Sequence, residues 1–499
     1  MIKHKIIELL RKLCEEEIKS LGKFINSPYF NRSPKIKRLY FELVKFYPEF
    51  NNPRLTKEKL FDKLHKGKRY NDSTLRGLMY DLLHLVYRFL VVEGTLKDRL
   101  RYEVQTIKEL SSRQIFSLAK SELKNADEFE KKHGVDFDYY LYGYLIESYR
   151  YNIDCQTVNI HNKKQALLQL SILSKSDIYL LLLFITELIS DYVSTVIFAS
   201  KYNIDTSKSV TRQFICNLNL KEIASSIKDE LILSSIFEIH ISLFNAFDKL
   251  DNRKYYLAYK RRIKQFRSIL NHDEIASHYL NLINYLILNN NKKLSSYFSS
   301  ELFKIYEEYL KDEYFIDSKV KNLKPYQYRA ILINALQCKK YEWAEHYINV
   351  YSKKVSPDER IAMYHYGYAL WYNSIGKSDK ALVSIDKIKI NNFIFKYDTY
   401  NIKLKIFFEY ENPEKALDYI HTYNEYLRKD DFFSESRKIP YKNFIKFTKD
   451  ILIYRDNPKK MDIDFLGMKL SKTESILHKE WLQEKIDNLK NTKKYRKFG

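Results

Sequence analysis

Catalysis and metal binding need particular residue types at particular spacings, and the nearest approach in this 499-residue chain is His272-Asp273-Glu274 with His278. Glu274 and His278 are four apart, so a helix would set both on one face, where a metal pair is conceivable. A structural zinc site wants four ligands, so the plainer reading is a solvated helix start. The twelve histidines are otherwise dispersed, without an HExxH. No GxGxxG or GxxxxGK[ST] loop is present to cradle a phosphate, and no GxSxG elbow to present a serine. Cys14, Cys155, Cys216 and Cys338 stand singly, with no CxxC and no histidine placed to activate a thiol. Carboxylates such as Glu238 and Asp248 are isolated, so no acid/base couple is visible. The chain is therefore read as non-enzymatic and without a cofactor.

Two basic features invite a polyanion. In RKYYLAYKRRIKQFR (253–267), helical spacing puts Tyr256, Tyr259, Ile263, Phe266 and Leu270 on one face and Arg253, Lys260, Lys264 and Arg267 on another. Such a stripe can meet phosphates, though in a lysine-rich chain a solvated face is the plainer reading. The tail from Lys490 carries Lys493, Lys494, Arg496 and Lys497, and reads as a frayed terminus. The net charge of +23 admits the same two readings, a nucleic-acid footprint or the A/T-rich coding that also enriches Asn, Ile, Tyr and Phe.

The elements that would carry these residues are helices. Hydrophobic residues make up 45% of the chain, enough for buried cores, while no proline occurs between Pro53 and Pro325, too few breakers for sheets. The N-terminus lacks the uninterrupted apolar core of a signal peptide, and the most apolar run, Ile178 to Ile185, is too short to span a bilayer. With no disulfide framework either, the expectation is a cytoplasmic protein without a transmembrane segment.

Residues 1–95 read as an N-terminal helical module. A charged helix is expected from Ile2 to Ile25. Ser33-Pro34, Thr56 and Asn71-Asp72-Ser73 supply caps for three more, and Gly94 a C-cap for the last. The short second helix and polar turn before a long third suggest a helix-turn-helix, with Lys66, Lys68, Arg69 and Arg76 at the start of the third. Apolar residues around that helix (Leu78, Met79, Tyr80, Leu82, Leu83) favour a buried packing role. Residues 96–320 read as divergent helical hairpins, with polar breaks near 133–136, 161–164, 203–209, 216–219, 251–253, 271–273 and 289–293.

Residues 321–499 hold a repeat. KKYEWAEHYI (339–348), GKSDKALVSI (376–385) and ENPEKALDYI (411–420) align without gaps. Each has an acid (Glu342, Asp379, Glu414) two before an alanine (Ala344, Ala381, Ala416) and an isoleucine (Ile348, Ile385, Ile420) four after it. The chain has only fifteen alanines, so the register is not accidental. An aromatic-rich helix precedes each alanine, aligning Tyr328, His365 and Tyr400. The pattern resembles the tetratricopeptide repeat, whose second helix carries a small residue where two helices approach closely. The matching small residue of the first helix is present only as Ala369, with Leu332 and Leu404 elsewhere. The whole chain also resembles bacterial proteins in which a helical module carrying Ser-Pro-Tyr-Phe-Asn precedes divergent repeats, a likeness that implies no activity.

What the resemblance implies is an all-α fold of helical hairpins stacked as an α-solenoid, whose concave face binds a protein or peptide partner. By that likeness the groove is lined by Tyr326, Arg329, Ile333, Tyr366, Leu370, Asn373, Asn401, Lys405 and Phe408. The Lys/Asn pattern with which some members clamp a terminal carboxylate is not reproduced, since Arg329 and Tyr366 are followed by Ile333 and Leu370. The alternative is a nucleic-acid-associated regulator acting through the N-terminal module.

Overall fold

In a computed structural model of the chain, residues 4–130, 137–200, 202, 204–293, 296–316, 321–388, 393–410, 413–431 and 435–495 are described. Among them are twenty-four α-helices and no strand, so the protein is all-α. The chain divides into two compact units, one of Met1–Asp191 with Val210–Phe237, the other of Tyr192–Ser209 with Glu238–Gly499. The expected break at 133–136 and the tail beyond Tyr495 lie outside the described residues, as do the side chains of Lys493 and Lys494.

The first unit opens with α1 (Lys5–Leu10), α2 (Glu15–Asn26), α3 (Pro34–Val44), α4 (Lys57–Leu64) and α5 (Asp72–Lys97). The single helix expected over Ile2–Ile25 is two, because Cys14 starts a new one. The Cys14 backbone N–H donates to Glu17 Oε2 at 3.0 Å, which satisfies an amide a continuous helix would have bonded internally. Ser33, Thr56 and Asn71 accept from the amides of Ile36, Lys59 and Thr74, as N-caps do. Gly94 ends nothing, since α5 runs three residues further to Lys97. These helices close on a core in which Leu21, Ile25, Leu39, Leu43, Leu75, Leu82 and Val86 are wholly buried. The long third helix of the expected module therefore buries one side. Its other side is exposed, and Tyr80 stands there at 58% exposure rather than inside.

Three more helices, α6 (Arg99–Ser112), α7 (Phe116–Glu130) and α8 (Phe137–Thr157), build a second core on Ile107, Ala119, Ala126, Ile146 and Ile153. The apolar run at 178–185 lies in α9 (Lys163–Ser200), a 38-residue helix, and α10 (Val210–Asn217), α11 (Leu220–Ser226) and α12 (Leu231–Asp248) follow. Both α9 and α12 are long and apolar enough to cross a membrane, a test that core helices of soluble proteins also pass; 39% and 50% of their most apolar windows are buried.

The second unit continues with α13 (Arg253–Gln265), α14 (His272–Lys293) and α15 (Ser296–Lys311). The polar stretch 289–293 does not break α14, which runs to Lys293. The basic stripe of α13 is neither bare nor merely solvated. Lys260 pairs with Glu301 at 2.6 Å, Lys264 with Glu308 at 3.4 Å and Arg267 with Asp312 at 3.0 Å, while Arg253 stacks over Tyr297. A row of carboxylates on and just past α15 answers the row of cations. His278 is buried rather than solvated: its Nδ1 shares a hydrogen bond of 2.8 Å with Tyr259 Oη. Burial, with the neighbouring His240, pushes its pKa down to about 3, so the ring is neutral. No group of three metal-capable side chains occurs among the described residues.

Tyrosine does much of the filling. Tyr40, Tyr256, Tyr259, Tyr285, Tyr328, Tyr347, Tyr366, Tyr397 and Tyr423 are among the largest side chains with under 2% exposure or close to it. A buried ring of this kind keeps its proton longer than an unfolded one. Burial holds Tyr40 and Tyr285 up at about 12, against an ordinary value of 10. A folded pKa raised above the unfolded one contributes stability that is complete below pH 10 and lost as the pH climbs through the folded value. Urea midpoints are therefore expected to hold up to pH 10 and to fall steeply between 10 and 12. Phenolate absorbance should rise in step with unfolding. Smooth ionisation of all tyrosines near pH 10 in a still-folded chain would contradict this core.

Candidate functional site

The residues for which a binding role is expected fall on three successive helix hairpins of the second unit. These are α16 (Pro325–Gln337) with α17 (Tyr341–Tyr351), α18 (Arg360–Ser374) with α19 (Ser378–Asp386), and α20 (Phe393–Glu409) with α21 (Pro413–Lys429). The helices of each pair pack against each other, and in the first two pairs a connection of only a few residues joins them. Within each pair the alanine singled out from the sequence, Ala344, Ala381 or Ala416, has no exposed surface. The first helices also touch in series, α16 with α18 and α18 with α20. A glycine lets α18 approach the first hairpin closely. A Cβ on Gly367 of α18 would lie 2.5 Å from Tyr328 Oη and 2.9 Å from Ile348 Cγ1, closer than any side chain tolerates.

The three first helices converge on one carboxylate. Arg329 of α16 donates from Nε to Asp398 Oδ2 at 2.5 Å and from Nη2 to Oδ1 at 2.8 Å. Tyr366 of α18 donates from Oη to Asp398 Oδ2 at 2.5 Å. Bidentate pairing of this kind is the strong form of the arginine–carboxylate bond. Burial works against the Arg329 charge, and the hydrogen-bonded Asp398 overcomes it, leaving the guanidinium above its usual value. Burial, then the Asp398 charge, raises Tyr366 well above the ordinary phenol. Asn401, one turn on from Asp398, accepts from Tyr423 Oη of α21 at 2.9 Å.

Of the nine expected groove residues, Tyr366, Asn401 and Phe408 are thus buried and belong to the floor. Tyr326 is exposed, and Arg329, Ile333, Leu370, Asn373 and Lys405 are half-buried. Arg329 and Tyr366 come together on Asp398, which sequence reasoning missed although it lies one helical turn before Asn401 on the same face.

Three further helices, α22 (Glu435–Asp456), α23 (Ile463–Lys472) and α24 (Lys479–Tyr495), complete the unit and give Lys405 its surroundings. Lys405 Nζ lies 5.6 Å from the Trp481 ring centroid, and Lys485 Nζ lies 5.7 Å from the same ring. Trp481 packs edge-on against Phe408 at 5.0 Å, and the Arg455 guanidinium covers Phe408 at 4.9 Å. Lys485 is neutralised by Glu409 at 2.7 Å. Arg455 Nη1 donates to the Phe408 carbonyl at 2.8 Å, while its buried Nη2 has no partner among the described residues. Burial first, and then the Lys485 charge, pushes the Lys405 amine down to about 8. The place thus joins aromatic walls to cations not fully answered by acids, which suits an anionic group on a ligand.

The chain matches no family model, no curated protein and no solved structure.

A lysine held in its unfavourable protonation state costs stability. Lys405→Met, which keeps the length and removes the charge, is expected to stabilise the second unit by about 1 kcal/mol at neutral pH. The sign with pH follows from the lowered value. Between pH 8 and 10.5 the unfolded chain binds the proton and the folded chain does not, so wild-type stability rises with pH there. The advantage of Lys405→Met should therefore shrink from pH 7 to pH 10. An advantage constant with pH would refute the desolvated amine.

Proposed function

We propose that the protein is a non-enzymatic helical-repeat scaffold whose hairpins from 325 to 429 are tetratricopeptide-like, stack as an α-solenoid and bind a protein or peptide partner. The single observation that carries this reading is the serial packing of α16, α18 and α20, tied at Asp398, with the three aligned alanines buried inside their pairs. Stacked pairs of this kind bury a continuous core and leave the first helices facing a groove. Tyr326, Ile333, Leu370, Asn373 and Lys405 line it in this reading, over a floor of Tyr366, Asn401 and Phe408. The anionic preference around Lys405 favours a partner segment with an acidic residue beside an apolar one.

The alternative, a nucleic-acid-associated regulator, draws on the exposed Lys66, Lys68 and Arg69 between α4 and α5. Arg76 contributes less to it, being engaged with Asp72 of its own helix. Affinity capture with the full chain separates the two readings. Under the scaffold reading, a discrete protein is retained by the wild type and lost with Tyr326→Glu and with Lys405→Met, although the latter is the more stable variant. Retention on heparin in moderate salt that disappears with Lys66→Glu/Lys68→Glu/Arg69→Glu, with no captured protein sensitive to the groove variants, would replace it with the alternative.

A further inference from the structure

The outward face of α5, in the first unit, has a pattern that no element among the described residues covers. Gly77, Tyr80, His84, Tyr87, Val91 and Gly94 follow one another at spacings of 3, 4, 3, 4 and 3, the alternation that keeps a seam facing a partner helix. All six are exposed, Tyr80 at 58%, Tyr87 at 44% and Val91 at 67%. A Cβ added at Gly77 or Gly94 would meet nothing within 4 Å, so both ends of the seam are open to close approach. Hollows flank it. One of about 530 Å³ lies between Tyr80, His84, Tyr87 and the His4–Glu8 turn of α1. Another of about 460 Å³, mostly apolar, lies between Val91, Leu96 and Tyr102. Three exposed aromatic rings over about two turns, continued by Val91 a turn further on, are more than scattered surface hydrophobics amount to.

We propose that this face is a homodimer seam, on which a second copy of the chain lays its own α5 antiparallel. The sequence of the seam is close to a palindrome in size. Pairing it with its reversed self sets Gly77 against Gly94, Tyr80 against Val91 and His84 against Tyr87, each time a position of one phase of the heptad against the other, as antiparallel helices require. Each Tyr80 then enters the apolar hollow beside Val91 of the second copy. The charges flanking the seam agree. Asp81 and Arg88, both exposed, sit on the same edge, and antiparallel pairing brings Asp81 of each copy beside Arg88 of the other. Parallel pairing would instead offer Asp81 only Arg76, which is already held by Asp72, and would leave Arg88 unanswered. A two-fold axis makes both contacts from one pair of residues, as an isologous interface does.

Sedimentation equilibrium of the full chain, over roughly 1–100 µM, tests the proposal, with circular dichroism checking that each variant folds. The wild type is expected to dimerise. Tyr87→Glu, at an exposed position outside any core, should weaken association on the order of thirtyfold or more. Asp81→Arg and Arg88→Asp should each weaken it about tenfold by juxtaposing like charges. The double reversal Asp81→Arg/Arg88→Asp should regain the wild-type constant, and mixing the two single variants should yield dimers that neither forms alone. A wild type monomeric throughout, a dimer indifferent to Tyr87→Glu, or a double reversal that restores nothing would each overturn the antiparallel seam.

Discussion

Asp398→Ala is expected to destabilise the second unit by about 3 kcal/mol, because it strands a guanidinium that has already been taken from water. The Asp398 side chain is 11% exposed and that of Arg329 23%, so neither charge is solvated enough to stand alone. The lower end of the range for breaking a buried pair applies, since Arg329 can still reach solvent in part. All three tryptophans, Trp343, Trp371 and Trp481, lie in the second unit, so their fluorescence during urea unfolding of the full chain reads this unit alone. Tyr366→Phe removes one donor and should cost about 1 kcal/mol. Replacing both partners, Arg329→Met with Asp398→Leu, should recover most of what Asp398→Ala loses, because apolar residues of similar volume can replace a buried ion pair without penalty. An Asp398→Ala midpoint equal to wild type would remove the cluster from any account of this unit.

Enlarging the aligned alanines should have an effect of similar size. Ala344, Ala381 and Ala416 have no exposed surface, and phenylalanine at any of them must splay a helix pair or force strained rotamers, at a cost of up to about 3 kcal/mol. Ala362, three residues into a first helix and not among the aligned alanines, is a natural first choice for comparison. The structure buries it to 8% in the first turn of α18, so a better control is Val383, on the same helix as Ala381 and 56% exposed. Val383→Phe should leave the tryptophan-detected midpoint within about 0.5 kcal/mol of wild type. Unequal effects among the three alanines, with one near zero, would deny them a common structural position.

Local chemistry was legible in the sequence, and chemistry between distant residues was not. Ser33, Thr56 and Asn71 cap helices because a side-chain oxygen and an amide three residues on are all the motif needs. The three alanines were readable because size at a close approach repeats with the hairpin. Asp398 escaped because its partners are 69 and 32 residues away, and helical periodicity says nothing about which helix a face will meet. The stripe on α13 shows the same limit from the other side. Its cations were plain, but the matching carboxylates Glu301, Glu308 and Asp312 lie some forty residues later at a different spacing, so the sequence pattern of one stripe does not point to the other. Tyr80 reads as interior because apolar residues surround it in sequence. The exposed stripe it belongs to follows a seven-residue period that the burial pattern of the other side conceals.

The knot at Asp398 has a mechanical consequence. Stacked hairpins ordinarily touch only their neighbours, so each can peel away by itself and a chain pulled from its ends lengthens in small steps. Here the first hairpin is fastened to the third through Arg329, and the middle one to the same oxygen through Tyr366. No hairpin among the three can leave without releasing the carboxylate, and once it is released none is held by it. Extension under force should therefore come as one large event spanning all three, and the Asp398→Ala chain should yield in separate, weaker increments.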